Sequence, residues 1–378
     1  MSWYELALLG SPTDQQVSEI EGELTRMLAP FGLRLQEEVG WAVRPQTFEP
    51  SQRRAAGAAF FATPLAPTAI VEELIRNAVP VIPIISEAMT PKQLPGTLAT
   101  YNCLHYEKDG PSRIASALLE CVGLLPRQRR LFLSYRHDES RSAAIQLFEA
   151  FSSRVVDVFL DSHKIAPAED FQQELWHRLC DADVMVMLDT PLYFGSRWTA
   201  AEFGRALAKG IVVLRVSWPL HSSSPRVGTT TSVDLVPEDI NDTTGHLSDA
   251  AIERICERFE SVRSEGIAVR YLNLISTLTA EVERIGGTIV GVEANKTVHV
   301  ELMDGRTLIL HPAIGVPTSS SLHDAALRTP SRPIAVVYDD IGIKRAWVDH
   351  LEWLGEYIHD IRWIRSHQAG YSLADWRS

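Results

Sequence analysis

Four short apolar runs between Leu131 and Trp218 constrain the fold of this chain more than any other feature. The runs are LFLSY, VVDVFLD, DVMVMLD and IVVLRVSW, and segments with helical spacing of apolar residues separate them. Such alternation is typical of βαβ units, in which the strands pair in parallel. Ligands of parallel sheets bind where the carboxyl ends of the strands open into loops. We therefore expect a functional site in the loops SYRHDES, DSHKIAPAED and TPLYFGSRW.

Segments of α/β character flank this central part on both sides. The N-terminal segment contains the apolar runs YELALLG, AAFFAT and VPVIPIIS, with helical patterns between them and a last helix from Pro111 to Gly123. The sequence predicts an α/β chain of three domains. They are an N-terminal α/β domain at 1–125, a central flavodoxin-like parallel sheet at 127–265 and a C-terminal mixed α/β domain at 266–378.

The N-terminal domain shares a pattern with the central one. AAFFATPLAPTAIVEELIRNAVPVIPIIS and VMVMLDTPLYFGSRWTAAEFGRALAKGIVVLRVS both consist of an apolar strand, Thr-Pro-Leu, a short loop, an amphipathic helix and an apolar strand. The match favours an internal duplication, but any two βαβ units share this pattern. Both interpretations stay open at this point.

The last third of the chain follows a long Ser/Thr/Pro/Gly-rich loop after Trp218. We predict two separate helices there, from Asp249 to Glu265 and from Ala268 to Ile285. Beyond them, two alternating apolar runs flank Asp304-Gly305, which is a strong hairpin signal. A further strand in PIAVVYDD and a long helix complete the predicted mixed α/β domain.

Composition excludes some classes of function. The net charge of -12 argues against non-specific binding to nucleic acid or an anionic membrane. The four cysteines form no CxxC pair and therefore suggest reduced thiols. No signal-peptide pattern is present at the start, and no apolar run approaches the roughly 20 residues that span a bilayer. We expect a cytoplasmic protein.

Standard catalytic motifs are missing from the sequence. It contains no GxGxxG fingerprint, no GxxxxGK[ST] phosphate loop, no HExxH and no GxSxG elbow. The histidines of the central domain have no second metal ligand at a useful spacing, so we expect no metal site. An enzyme with this sequence has to use another kind of site.

The central stretch resembles a TIR (Toll/interleukin-1 receptor) domain. LFLSYRHDES is similar to the first box of that family, and FLDSHKIAPAEDFQQELWHRL to its second strand, BB loop and following helix. DADVMVMLDTPLYFGSRWTAAEFGRAL is similar to the segment in which enzymatic members carry a Ser-x-Trp-x-x-x-Glu pattern. Here that pattern is Ser196, Trp198 and Glu202.

The resemblance implies an NAD glycohydrolase that cleaves the bond between nicotinamide and ribose, with NAD as substrate and no cofactor. Ordinary glycosidases need two carboxylates. Nicotinamide in NAD is already a cationic leaving group, so a general acid is not required. One preorganised negative charge can then stabilise the oxocarbenium-like ribose. Glu202 is the candidate for that catalytic charge.

The remaining candidate residues are expected to bind the substrate. Ser134, Tyr135 and Arg136 end the first strand of the central domain, and Arg136 is the candidate contact to a phosphate. Asp161, at the end of the second strand, is expected to line the same pocket. Ser196 belongs to the family pattern, and Trp198 is the candidate wall for nicotinamide.

Each of these residues also has a structural interpretation. A glutamate near a helix start often interacts with the helix dipole, and an aromatic residue there often belongs to the core. The resemblance suggests an antiviral effector activated by self-association, with ADP-ribose or a cyclic form as product. An alternative is a TIR adaptor that acts only by protein association. A third possibility, based on architecture alone, is a nucleotide sensor in one of the flanking domains.

Overall fold

A computed structural model describes residues 3–51, 54–63, 68–94, 96–160, 171–221, 224–228, 230–293, 296–329, 334–358 and 360–375. The chain divides into two compact units, Met1–Arg127 and Gln128–Ser378. The first unit holds one five-stranded sheet and the second holds two. The α/β class predicted from the sequence is thereby confirmed.

The N-terminal unit contains a fully parallel sheet in the order β2-β1-β3-β4-β5. Its strands are β1 (Tyr4–Gly10), β2 (Val39–Val43), β3 (Ala55–Phe61), β4 (Val81–Ile85) and β5 (Leu104–His105). Its helices are α1 (Asp14–Leu28), α2 (Ala69–Arg76) and α3 (Tyr106–Cys121). The Thr13 hydroxyl accepts from the Gln16 backbone, which fixes the start of α1. The strand β2 is not predicted from the sequence.

The central sheet is also fully parallel, in the order β10-β9-β8-β6-β7. Its strands are β6 (Arg129–Ser134), β7 (Val156–Leu160), β8 (Val184–Asp189), β9 (Val212–Ser217) and β10 (Ser232–Asp234). The helices between them are α4 (His137–Ser153), α5 (Phe171–Asp181) and α6 (Arg197–Ala208). The four predicted apolar runs form β6 to β9. The edge strand β10 lies in the segment predicted to be a long loop.

The N-terminal and central sheets have the same strand order. Counted within each sheet along the chain, both run 2-1-3-4-5, which is the flavodoxin-like order. The predicted flavodoxin-like topology of the central domain is confirmed. A duplicated ancestor would produce this shared order, and the duplication itself stays a prediction.

The third sheet is mixed. Its five strands lie in chain order, with antiparallel pairs at the start and parallel pairs at the end. They are β11 (Thr288–Val292), β12 (Val298–Glu301), β13 (Thr307–Ala313), β14 (Ile334–Tyr338) and β15 (Ile361–Arg365). One long helix, α7 (Asp249–Arg284), precedes them, and α8 (Ser319–Arg328), α9 (Arg345–Tyr357) and α10 (Ala369–Ala374) accompany them. The predicted hairpin at Asp304-Gly305 joins β12 to β13.

The prediction of two helices between Asp249 and Ile285 is wrong, because α7 is one continuous helix of 36 residues. Gly266 does not end a helix here. A Cβ atom at this position would lie 2.6 Å from Val212 Cγ1 and 3.3 Å from the carbonyl oxygen of Asp183. Glycine therefore allows α7 to pack closely on β9. The domain boundary predicted at 265/266 falls inside this helix and stays a prediction.

The helix α7 contributes to two hydrophobic cores. Its first half places Ile255, Phe259 and Val262 in the core of the central sheet. Its second half places Leu274, Leu278 and Val282 in the core of the third sheet. Burial of apolar side chains at both ends of one rigid helix holds the two sheets in a fixed relation.

Two buried arginines of α7 bind the turn between α5 and β8. Arg263 is completely buried, and its Nε donates to Asp183 Oδ2 at 2.7 Å. Arg270 donates to the carbonyl oxygens of Cys180 and Ala182, both at 2.8 Å. Because an unpaired buried charge is costly, these contacts make the position of α7 specific.

We expect Gly266→Ala to lower the free energy of unfolding of the second unit by about 1–3 kcal/mol, because the added methyl group overpacks the contact with β9. Gly204 is the matched control. It lies in α6, and a Cβ atom there would meet nothing within 4 Å. Gly204→Ala should stabilise by up to about 1 kcal/mol through helix propensity. Urea titration of both variants measures the difference, and equal shifts would contradict the close packing.

We expect Arg263→Ala to destabilise the second unit by about 3–5 kcal/mol, because it leaves Asp183 as an uncompensated buried charge. Arg284→Ala on the same helix is the control. Its side chain is 63% exposed and pairs with Glu281 at 2.5 Å. That exposed pair should contribute less than about 1 kcal/mol. Thermal unfolding followed by circular dichroism compares the two, and a small effect of Arg263→Ala would contradict the role assigned to it.

Candidate active site

The candidate site lies where β8 leads into α6. Ser196 is the N-cap residue of α6, and its Oγ accepts a hydrogen bond from the Trp198 backbone N–H at 3.2 Å. Serine suits this position because its hydroxyl satisfies a helix N–H that has no partner inside the helix. The observed bond of Ser196 is therefore a structural one that fixes the start of α6.

Glu202 is buried at the carboxyl edge of the central sheet. It is 1% exposed, and its Oε2 accepts a hydrogen bond from Ser134 Oγ at 2.5 Å. Ser134 is itself completely buried at the end of β6. The structure thus joins two of the residues predicted from the sequence, which are 68 positions apart in the chain.

Tyr193 extends this contact and was not among the predicted site residues. Its hydroxyl lies 2.6 Å from Ser134 Oγ, and the residue is completely buried. Since Ser134 Oγ donates to Glu202, the Tyr193 hydroxyl can donate to Ser134 Oγ, and the carbonyl oxygen of Thr199, 3.4 Å away, is a second acceptor for the same proton. The result is a chain of hydroxyl groups that ends on the carboxylate. Successive hydrogen bonds of this kind polarise one another in a buried setting.

The loop that carries Tyr193 is fixed by its own contacts. Thr199 Oγ1 donates to the Tyr193 carbonyl oxygen, and the Tyr193 ring packs edge-on against Phe194 at a centroid distance of 5.1 Å. The sequence marked TPLYFGSRW as a loop of interest but carried no signal for this one tyrosine. A hydroxyl that reaches β6 is a property of the folded loop.

Trp198 lies one helical turn before Glu202 but in a different environment. Its side chain is 39% exposed, and the Arg197 guanidinium lies 4.6 Å from the centroid of its ring. Residues four positions apart occupy the same face of a helix. Trp198 therefore lies on the same side of α6 as Glu202, one turn nearer the start of the helix and at the surface.

Tyr135 and Arg136 continue from β6 into the next loop. Tyr135 is buried and stacks on His137 at a centroid distance of 4.8 Å. Arg136 Nη1 donates to the carbonyl oxygen of Leu192 at 2.9 Å. Its Nε is buried and has no hydrogen-bond partner among the described residues. Arg136 thus connects the first loop to the loop before α6 and retains a donor that an anion could use after a small movement.

Asp161 lies outside the described residues, together with the rest of the second loop at 161–170. Its predicted place in the pocket stays a prediction. The other residues predicted to bind the substrate lie in the two remaining loops of the same sheet edge. They are Ser134, Tyr135, Arg136, Ser196 and Trp198.

Two carboxylates that the sequence analysis did not select also lie at this edge. Asp189 ends β8 and is completely buried, with Oδ2 3.5 Å from Arg215 Nη1 and Oδ1 3.8 Å from His221 Nε2. Glu139 accepts from Thr190 Oγ1 at 2.6 Å. Asp189 follows an apolar run as Asp161 does, so the same signal could have identified it.

Among the described residues, no group of three or more His, Cys, Asp or Glu side chains could hold a metal ion. Likewise, none of the helices in the described ranges is long and apolar enough to cross a membrane.

Comparison with solved structures gives weak matches. The TIR domains of the activated Roq1 resistosome, which recognises the pathogen effector XopQ, are 16% identical; the match covers 39% of this chain and 84% of that one, with a TM-score of 0.24. The C-terminal domain of glucosamine-fructose-6-phosphate aminotransferase from Francisella tularensis is 10% identical over 71% and 85% of the chains, with a TM-score of 0.21. A fatty acid ABC transporter substrate-binding protein from Thermomonospora curvata is 13% identical over 82% and 91%, with a TM-score of 0.20. These TM-scores are too low to support a conclusion about fold or function.

Comparison with protein families identifies one domain of the chain. No curated protein matches the chain significantly. The family model of the TIR domain, however, matches residues 131–248. The matched range begins in β6, includes Ser134, Tyr193 and Glu202 and ends just before α7. Residues 131–248 form a TIR domain, and the chain is a TIR-domain protein.

Proposed function

We propose that the TIR domain is an NAD glycohydrolase in which Glu202 is the catalytic carboxylate. One observation carries the proposal. A glutamate in the Ser-x-Trp-x-x-x-Glu pattern lies buried at the carboxyl edge of a parallel sheet, bound by Ser134 Oγ at 2.5 Å. A carboxylate fixed by hydroxyl donors is preorganised to face a developing positive charge.

The reaction needs few groups. The bond between ribose C1′ and the nicotinamide nitrogen breaks, and its electron pair neutralises the positive charge of the ring. Glu202 stabilises the oxocarbenium-like ribose that forms. A water oxygen then bonds to C1′ and loses a proton, which gives ADP-ribose; attack by a nitrogen of the adenine would give a cyclic product instead. Trp198 provides a wall for nicotinamide, and Arg136 contacts a phosphate.

The described arrangement corresponds to a closed site. A carboxylate that is 1% exposed cannot contact a substrate. The link from Arg136 to the Leu192 carbonyl oxygen holds the two loops above it together. Substrate access therefore requires these loops to separate, and we propose that TIR–TIR association in a homo-oligomer opens them. The consequence is a low basal rate that rises with self-association, as an antiviral effector requires.

The burial of Glu202 also supports a second function. If Glu202 has only a structural role as the partner of Ser134, the TIR domain is an adaptor that acts by protein association alone. The exposed Arg197 and Trp198 would then belong to a contact surface. The two functions differ in a single measurable property, which is the release of nicotinamide.

We expect Glu202→Gln to lower NAD cleavage by at least about 100-fold, because it removes the charge that stabilises the transition state. The glutamine oxygen can still accept from Ser134, so the fold should be retained. Full-length protein at high concentration with a crowding agent is incubated with NAD, and nicotinamide is measured by chromatography. Glu253→Gln is the control, since Glu253 is 49% exposed on α7. No nicotinamide release by either wild type or Glu202→Gln would support the adaptor, and equal measurable rates would exclude Glu202 as the catalytic carboxylate.

We expect Tyr193→Phe to lower kcat about fivefold with little change in KM, because one lost hydrogen bond of roughly 1 kcal/mol weakens the positioning of Glu202 through Ser134. The buried hydroxyl is not placed to reach the substrate itself. Phe194→Leu, which changes the neighbouring ring but no hydroxyl, is the control. A change confined to KM would contradict the positioning role.

A further inference from the structure

A second candidate site lies at the carboxyl edge of the third sheet, away from Glu202. Here β13, β14 and β15 are parallel, so their carboxyl ends meet at one edge. The residues that follow these strands, Ile314, Asp339 and Ser366, line a cavity of about 160 Å³. Ligands of α/β sheets bind at such edges. The remaining walls come from α7 and from Lys209, which follows α6.

The walls of this cavity suit a hydroxylated ligand. Asp339 offers a carboxylate, Asn273 an amide, and Thr277 and Ser366 offer hydroxyls, while Leu274 provides an apolar surface. Carboxylates at the ends of parallel strands accept hydrogen bonds from ribose hydroxyls in related architectures. A cavity of this size has room for a sugar ring.

The cavity also favours a negative charge on that ligand. Lys209 is 8% exposed, and its Nζ lies 2.5 Å from Asp339 Oδ2 and 2.7 Å from the carbonyl oxygen of Ile341. His367 lines the same space, as does Arg270, whose guanidinium binds the carbonyl oxygens of Cys180 and Ala182. Lys209 Nζ also donates to the carbonyl oxygen of Asp339 at 3.2 Å, and Asp339 Oδ1 accepts from the Ile341 backbone N–H at 3.0 Å. An anionic ligand group would replace Asp339 Oδ2 on Lys209, and that carboxylate oxygen would then accept from ligand hydroxyls.

We infer that this cavity binds a phosphorylated pentose, with the phosphate on Lys209 and the ribose hydroxyls on Asp339 and Asn273. Two sources can supply this ligand, a free sugar phosphate or the ribose phosphate end of a nucleotide. The cavity shares no residue with the candidate site around Glu202, so binding here can be measured whether or not NAD is cleaved.

The position of Lys209 connects this site to the TIR domain. Lys209 is the C-cap residue of α6, and its backbone N–H donates to the carbonyl oxygens of Arg205 and Leu207. The same helix carries Glu202. A ligand that replaces Asp339 on the Lys209 side chain therefore changes the side-chain contacts at the C-terminal end of α6. Glu202 lies in the same helix, closer to its start.

Isothermal titration calorimetry of the full chain tests the inference with ribose 5-phosphate, ribose, inorganic phosphate and ADP-ribose. We expect ribose 5-phosphate to bind more tightly than ribose or phosphate alone. Tight binding of ADP-ribose that Lys209→Met weakens would identify a nucleotide as the source, and ADP-ribose binding that is absent or insensitive to Lys209→Met would identify a free sugar phosphate. No binding of ribose 5-phosphate, or equal affinity for inorganic phosphate, would overturn the inference.

Two variants locate the binding. Lys209→Met should weaken ribose 5-phosphate about tenfold or more, because it removes a charge-assisted hydrogen bond. Asn273→Leu, at an exposed position of α7, should weaken it without affecting the fold. Lys344→Met is the control, since Lys344 forms a comparable ion pair with Glu174 outside the cavity lining. Unchanged affinity in both cavity variants would overturn the inference.

Discussion

The packing of α7 on two sheets is the constraint on which the second unit depends. A helix with one apolar face can cover one core, but α7 has buried residues along most of its length and covers two. Gly266 permits the close approach to β9, and Arg263 binds Asp183 beside it. Because the helix is continuous, the TIR domain and the third sheet cannot separate without breaking one of the two cores.

The buried carboxylate illustrates a conflict between stability and function. Glu202 Oε2 accepts from Ser134 Oγ, which lies within hydrogen-bond distance of the Tyr193 hydroxyl. This arrangement stabilises the closed TIR domain, because a buried polar group without partners would be costly. The same contacts keep the carboxylate from a substrate. If Glu202 is catalytic as proposed, the opening of these loops would control the rate.

Sheet topology explains how residues distant in sequence come together. In a 2-1-3-4-5 sheet the first and third strands are neighbours, so β6 lies beside β8. Ser134 ends β6, and the helix that follows β8 carries Glu202. The N-terminal unit has the same order, but its loop at 64–67 lies outside the described residues. In the third sheet, the parallel strands β13, β14 and β15 likewise bring distant residues to one edge, where they line the cavity that contains Asp339.

The sequence by itself determined the α/β class, the four central strands and the motif that contains Ser196, Trp198 and Glu202, because apolar periodicity and short motifs are local properties. It did not reveal that α7 is continuous, since a glycine that ends a helix and one that allows close packing are alike in sequence. Nor did it select Tyr193 or Asp189. Only the tertiary structure decided that Ser134 binds Glu202 and that the carboxylate is buried, because burial and hydrogen-bond partners depend on which strands become neighbours.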